Sequence, residues 1–110
     1  MRHLLLIDRS GENTEVLKSA LRRRGFDVHV EDQQWRAVQA LRQPVPEWEF
    51  VVIVAGSTPD NDATLLRELV VASQQLQQSC IPEFLFASRG RCTPTLRIRI
   101  AKLGVHYVRL

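Results

Sequence analysis

Few residues of this 110-residue chain stand where chemistry could be done. Asp8 closes the apolar stretch Leu4-Leu5-Leu6-Ile7, and Arg9 follows it. Further on, Val51-Val52-Ile53-Val54 is a β-branched run of the kind that fits a strand covered on both faces. Ala55, Gly56 and Ser57 lead out of its carboxyl end, where open α/β sheets place ligands and reactive groups. That position is chemically quiet, because no acid lies between Phe50 and Pro59. An enzyme or small-ligand sensor would have to use a pocket around Asp8, Ser57 and Ser88.

Other reactive groups are scattered. His3, His29 and His106 fall on separate strands and read as satisfied or solvent-facing rather than as ligands. Cys80 and Cys92 stand apart with no CxxC or Cys/His cluster, which points to two reduced thiols and to no metal site. Gly56-Ser57-Thr58 lacks the paired glycines of a nucleophile elbow. GxGxxG, GxxxxGK[ST] and HExxH are all absent, so no cofactor is expected. Arg22-Arg23-Arg24 reads as a solvated helix end ahead of a phosphate patch, and Trp35 with Trp48 as core and hinge packing ahead of an aromatic binding surface.

The elements that must position these residues follow from periodicity. Arg2 to Asp8 is a first strand. Val16, Leu17, Ala20 and Leu21 give a helix one apolar stripe, which Gly25 ends. Phe26, Val28 and Val30 alternate with Asp27, His29 and Glu31 in a half-exposed strand nearer the sheet edge. Asp32 is expected to cap a second helix built on Trp35, Val38 and Leu41, with Gln39 outward, ended by Pro44 and Pro46. After the central strand, Pro59-Asp60-Asn61-Asp62 reads as a turn and cap. A third helix then reaches about Gln78, with Leu65, Leu69, Ala72 and Leu76 on one face. Pro82 to Ser88 is a fourth strand, Leu96, Ile100 and Leu103 space a fourth helix, and Val105 to Leu110 is the fifth strand. Short connections between alternating strands and helices call for a parallel sheet in strand order 2-1-3-4-5 with helices on both faces.

Composition agrees with one domain over residues 1–110: 45% of residues are hydrophobic and 25% charged. No apolar run approaches the roughly 18 residues of a membrane span. The N-terminus reaches Asp8 too soon for a signal peptide, so cytoplasm is the expected location. The net charge of +3 is too small to indicate nucleic acid without a motif. The densest basic region joins Arg89 and Arg91 to Arg97, Arg99 and Lys102.

The segments LLLID, GFDV, VVIVAGSTPD and GVHYVRL together resemble a response-regulator receiver domain over nearly the whole chain. The resemblance implies the flavodoxin/receiver-like α/β fold, and a site where an aspartate ending the third strand is phosphorylated. In that family a magnesium ion on an acidic pair after the first strand assists, with a Thr or Ser after the fourth strand and a Lys after the fifth. Carried over, these positions are degenerate. Asp8 holds the first acidic position, but Arg9 stands in place of its partner. With Pro59 as anchor, the phosphoacceptor position falls on Ala55. Ala87 takes the hydroxyl position with Ser88 one residue late, and Leu110 falls near the Lys. Lone Asp8 then reads as a turn and capping acid.

A shorter run, LLRELVVASQQLQQSCIPEFLFASRGR, is similar to the amino-terminal wing of bacterial ornithine/lysine/arginine decarboxylases, as is LLLIDRSGENT. Such wings share the fold, carry no pyridoxal phosphate and help pack subunits together. Both families continue with a fifth helix, and this sequence ends at Leu110, before it. A missing fifth helix should open part of the fourth and fifth strands, including some of Phe84, Phe86, Val108 and Leu110 on one face. Val105, Tyr107 and Arg109 would take the other. The leading expectation is a non-catalytic pseudo-receiver acting through protein–protein contact or dimerisation in signalling or transcriptional regulation. Its interaction surface would be Arg97, Arg99, Lys102, His106, Tyr107, Val108 and Leu110. The alternative is a decarboxylase assembly wing.

Overall fold

A computed structural model describes residues 2–11, 14–43, 47–56, 59–74, 82–88 and 93–109. The elements alternate: β1 (Arg2–Asp8), α1 (Thr14–Arg23), β2 (Phe26–Glu31), α2 (Gln34–Arg42), β3 (Trp48–Val54), α3 (Pro59–Gln74), β4 (Glu83–Ser88), α4 (Pro94–Lys102) and β5 (His106–Arg109). The five strands form one parallel sheet in the order β2-β1-β3-β4-β5, as the pattern of short connections required. Local chemistry fixes the ends. Gly25, at φ +93°, makes the left-handed turn after α1 that a side chain would resist. Thr93 caps α4 by accepting the Leu96 N–H at 3.2 Å, with Pro94 opening the helix.

The sheet separates two apolar layers. On one face Leu5, Ile7, Val51, Ile53, Phe84 and Phe86 pack under α2, α3 and α4, which contribute Leu41, Leu66, Leu69 and Ile100 among others. The opposite face carries Leu4, Leu6, Val28, Val54 and Ala87, with Leu17 and Leu21 of α1 packed against them. Every residue of α1 keeps some exposure, and Val16 is 67% exposed.

Four expectations need correction. Pro59 to Asp62 is not a turn and cap ahead of the third helix but the first turn of α3 itself, since proline is accepted at a helix start. Phe84 and Phe86 do not lie on the open face. The register Val51↔Phe84 and Ile53↔Phe86 turns both rings toward α2–α4, and Phe86 is fully buried. Leu85 and Ala87 take the α1 side instead, where Leu85 is half-buried and Val108 is 39% exposed. Trp35 is not a core residue. The buried stripe of α2 is Ala37 and Leu41, and Trp35 stands 55% exposed beside it. Asp32 does not cap α2 either: Gln33 occupies the cap position and makes no side-chain cap bond. Trp48 is buried as expected, its indole N–H donating to the Ala40 carbonyl at 3.1 Å and tying β3 to α2. Leu76, Cys80, Cys92, Leu110 and the Arg89–Arg91 loop lie outside the described residues.

Candidate functional site

In this topology β1 and β3 are neighbours while the chain leaves them in opposite directions, so the crevice beyond their carboxyl ends is the expected ligand site. The strands stay joined to their tips by the Arg9 N–H on the Val54 carbonyl, 2.9 Å, and the Ala55 N–H on the Ala87 carbonyl, 2.8 Å. The residues lining this crevice are Asp8 and Arg9 after β1, Ala55 and Gly56 after β3, and Asp62 in the first turns of α3.

Asp8 is 7% exposed and its carboxylate is fully engaged by its own loop. Oδ1 accepts the Ser10 N–H at 2.9 Å, the Ser10 hydroxyl at 2.5 Å and the Gly11 N–H at 3.2 Å, while Oδ2 accepts the Thr14 hydroxyl at 2.7 Å. Burial pushes this carboxyl group up, but the bonds from Ser10, Thr14 and Gly11 together outweigh it and hold the pKa below the ordinary value. Asp8 thus ties down the turn between β1 and the start of α1. Among the described residues four donors surround the two oxygens, which leaves little capacity for a cation.

Arg9 reaches across the crevice. Its Nε donates to Asp62 Oδ1 at 3.1 Å, and Nη1 donates to the Asp32 carbonyl at 3.3 Å. The second Asp62 oxygen accepts the Gly56 N–H at 2.8 Å. Asp62 is 1% exposed, so this is a buried carboxylate with a guanidinium and a backbone donor as partners. Gly56 is required for the arrangement. A Cβ built there would meet the Arg9 carbonyl oxygen at 2.6 Å.

Ala55, Ala87 and Ser88 are buried at the strand ends. Because Val54 pairs with Ala87, the next step along each strand sets Ser88 level with Ala55. Of the degenerate positions, Asp8, Arg9 and Ala55 meet at the crevice with Ala87 and Ser88 beside them. Among the described residues no group of three or more His, Cys, Asp or Glu side chains could hold a metal ion. Asp62 was missed as a member of the site. Its place after Pro59-Asp60-Asn61 reads as a helix cap, and nothing local announces a partner 53 residues upstream.

The residues of the expected interaction surface divide between two sides. Arg97, Arg99 and Lys102 are exposed on α4, and the Arg97 guanidinium lies 5.3 Å from the centre of the half-buried Tyr107 ring. His106 and Val108 are exposed on the alternate positions of β5, away from α4. His3 and His29 do come together, on neighbouring strands beside Trp48, each next to a carboxylate.

The geometry has close parallels among solved structures. A response regulator from Burkholderia pseudomallei, solved with a phosphorylated aspartic acid, calcium ion and citrate, superposes with a TM-score of 0.77 at 18% identity over 99% of this chain. This chain spans 59% of that protein's length. The receiver domain of the histidine kinase CKI1 from Arabidopsis thaliana, complexed with Mg2+ and BeF3-, gives 0.78 at 11% identity, covering 98% of this chain and 80% of its own. A response regulator from Thermotoga maritima gives 0.75 at 18% identity, with coverages of 99% and 84%. No protein-family model matches the sequence, and no curated protein matches it significantly. The chain has the receiver-like, flavodoxin-type fold. No helix among the described residues is long and apolar enough to cross a membrane.

Proposed function

We propose that residues 1–110 are a single pseudo-receiver module that works in the cytoplasm by protein–protein contact in a signalling or regulatory pathway, without phosphotransfer. The observation that carries this reading is the Arg9–Asp62 pair. Phosphotransfer onto a receiver fold needs a free carboxylate nucleophile and a cation to neutralise the phosphoryl oxygens. Ala55 supplies no nucleophile at the end of β3. Among the described side chains, the carboxylates at the crevice are Asp8 and Asp62, and both are buried and already bonded. Arg9 places a fixed cation where an acid of a metal-binding pair would stand.

Function then falls to the outer surface, with the exposed cations Arg97, Arg99 and Lys102 of α4 and the exposed residues of β5 as the contact groups. None of the structures named above is a decarboxylase, and no observation favours the wing reading. Incubation with acetyl phosphate and magnesium, followed by intact-mass measurement, tests the proposal. No added phosphoryl mass is expected. A stable acyl-phosphate that disappears in Asp8→Asn or Asp62→Asn would overturn it.

A further inference from the structure

On the edge of the sheet away from β5, between β2 and α2, lies a cleft of about 730 Å3 lined by both tryptophans of the chain. That volume is in the range of small-molecule pockets. Its floor is the buried Trp48 ring, with the His29 ring tilted against it at 5.7 Å between centroids and the His3 ring edge-on at 6.3 Å. Trp35, 55% exposed, forms the facing wall on α2.

Two carboxylates complete the lining. Asp27 Oδ2 is 3.3 Å from His3 Nδ1, and Glu31 Oε1 is 2.9 Å from His29 Nε2. With histidines counted neutral at pH 7, the lining holds two negative charges against the single positive charge of Arg36. The cleft is thus locally anionic on a chain whose net charge is +3. Aromatic faces beside carboxylates attract organic cations, through the ring quadrupole and through direct charge. Arg36 demonstrates the first attraction within the molecule, its guanidinium lying 5.2 Å from the centre of the Trp35 ring.

We infer that the β2–α2 cleft is a binding site for a small organic cation of the ammonium class, held by Trp35 and the Asp27 and Glu31 carboxylates. This site is independent of the crevice at Arg9 and Asp62 and does not rest on the function proposed above. Neither Asp27 nor Trp35 is needed by the core, so both can be changed without unfolding the chain.

The chain has two tryptophans and both line the cleft, so intrinsic tryptophan fluorescence reads this site. Choline chloride is titrated against equal sodium chloride, with calorimetry in parallel. A saturable change with a Kd on the order of 1 mM is expected. The uncharged isostere of choline, with a tert-butyl group in place of trimethylammonium, should give no saturable change. Trp35→Ala and the double variant Asp27→Asn/Glu31→Gln should each weaken choline about three- to tenfold, with Trp48 as the remaining reporter in the first. Absence of saturation in the native chain up to about 20 mM choline would overturn the inference. Equal binding of the isostere, or unchanged affinity in both variants, would overturn it as well.

Discussion

Arg9 and Asp62 close the crevice between β1 and β3 from opposite sides, with Nε 3.1 Å from Oδ1 and the other carboxylate oxygen on the Gly56 N–H. The two ends of the pair differ in environment. The Asp62 side chain is 2% exposed and the Arg9 side chain 36%. The carboxylate therefore bears most of the desolvation, and the guanidinium is the partner that offsets it.

Removing Arg9 should accordingly cost more than a surface ion pair is worth. Arg9→Met removes the guanidinium partner of buried Asp62 and is expected to lower unfolding free energy by about 2–4 kcal/mol. Asp62→Asn keeps a polar acceptor for Gly56 and should cost about 1–2 kcal/mol. Urea unfolding of both single variants and the double variant gives the coupling, expected above about 1 kcal/mol. Strict additivity would mean that the pair does not act as a unit.

Gly56 is constrained by space and not by backbone angle, which separates it from the turn glycines. Gly56→Ala drives a methyl group into the Arg9 carbonyl at 2.6 Å, and backbone cannot swing aside as a side chain can. A loss of about 1–3 kcal/mol is expected, as for other overpacked sites. Gly11→Ala meets no atom within 4 Å and pays only for its φ of +69°, roughly 1 kcal/mol. Thermal midpoints of the two variants test the order. A Gly56→Ala protein as stable as the native chain would show that the two strand ends can part.

Element order and sheet topology were legible because alternation, helical stripes and short connections all point to one parallel arrangement. The residue types at the crevice were legible too, since Ala55 and Arg9 can be read directly from the sequence. Facing was not legible in β4. Phe84, Leu85, Phe86 and Ala87 are all apolar, so parity carries no information until the register with Val51 and Ile53 assigns Phe84 and Phe86 to the α2–α4 side. Trp35 misled for a related reason. Its spacing from Val38 and Leu41 fits a stripe, but the sheet takes up Ala37 and Leu41 and leaves the indole against the cleft.

Asp8 gives a pH signature. Its folded pKa lies below the ordinary 3.8, so its contribution to stability is complete above that value and is lost as pH falls through the lower folded value. Asp8→Asn lacks this contribution at every pH. The urea midpoints of native and variant proteins should therefore draw together as pH falls from about 5 to about 2. Glu49, lowered by its bond to Arg2, loses its share over the same acid range in both proteins and cancels in the difference. Thr14→Val removes one of the Asp8 donors and should narrow the native curve's acid loss. A gap between native and Asp8→Asn that stays constant over this range would show that the carboxylate gains nothing on folding.

The sheet face under α1 is the place where association should show. The helix packs chiefly against β2 through Leu17 and Leu21, Val16 on it is 67% exposed, and Val108 of β5 is 39% exposed. Sedimentation velocity at high micromolar concentration is expected to show a mass that rises with concentration in the native chain. Val16→Asp/Val108→Asp should abolish the rise while changing stability by less than about 0.5 kcal/mol, as substitutions at exposed positions do. Phe86→Ala, on the covered face, should cost about 3–5 kcal/mol because its ring is fully buried. The contrast isolates the exposed valines from a general loss of packing. A native chain that remains monomeric at those concentrations would show that this face is stable in water without a partner.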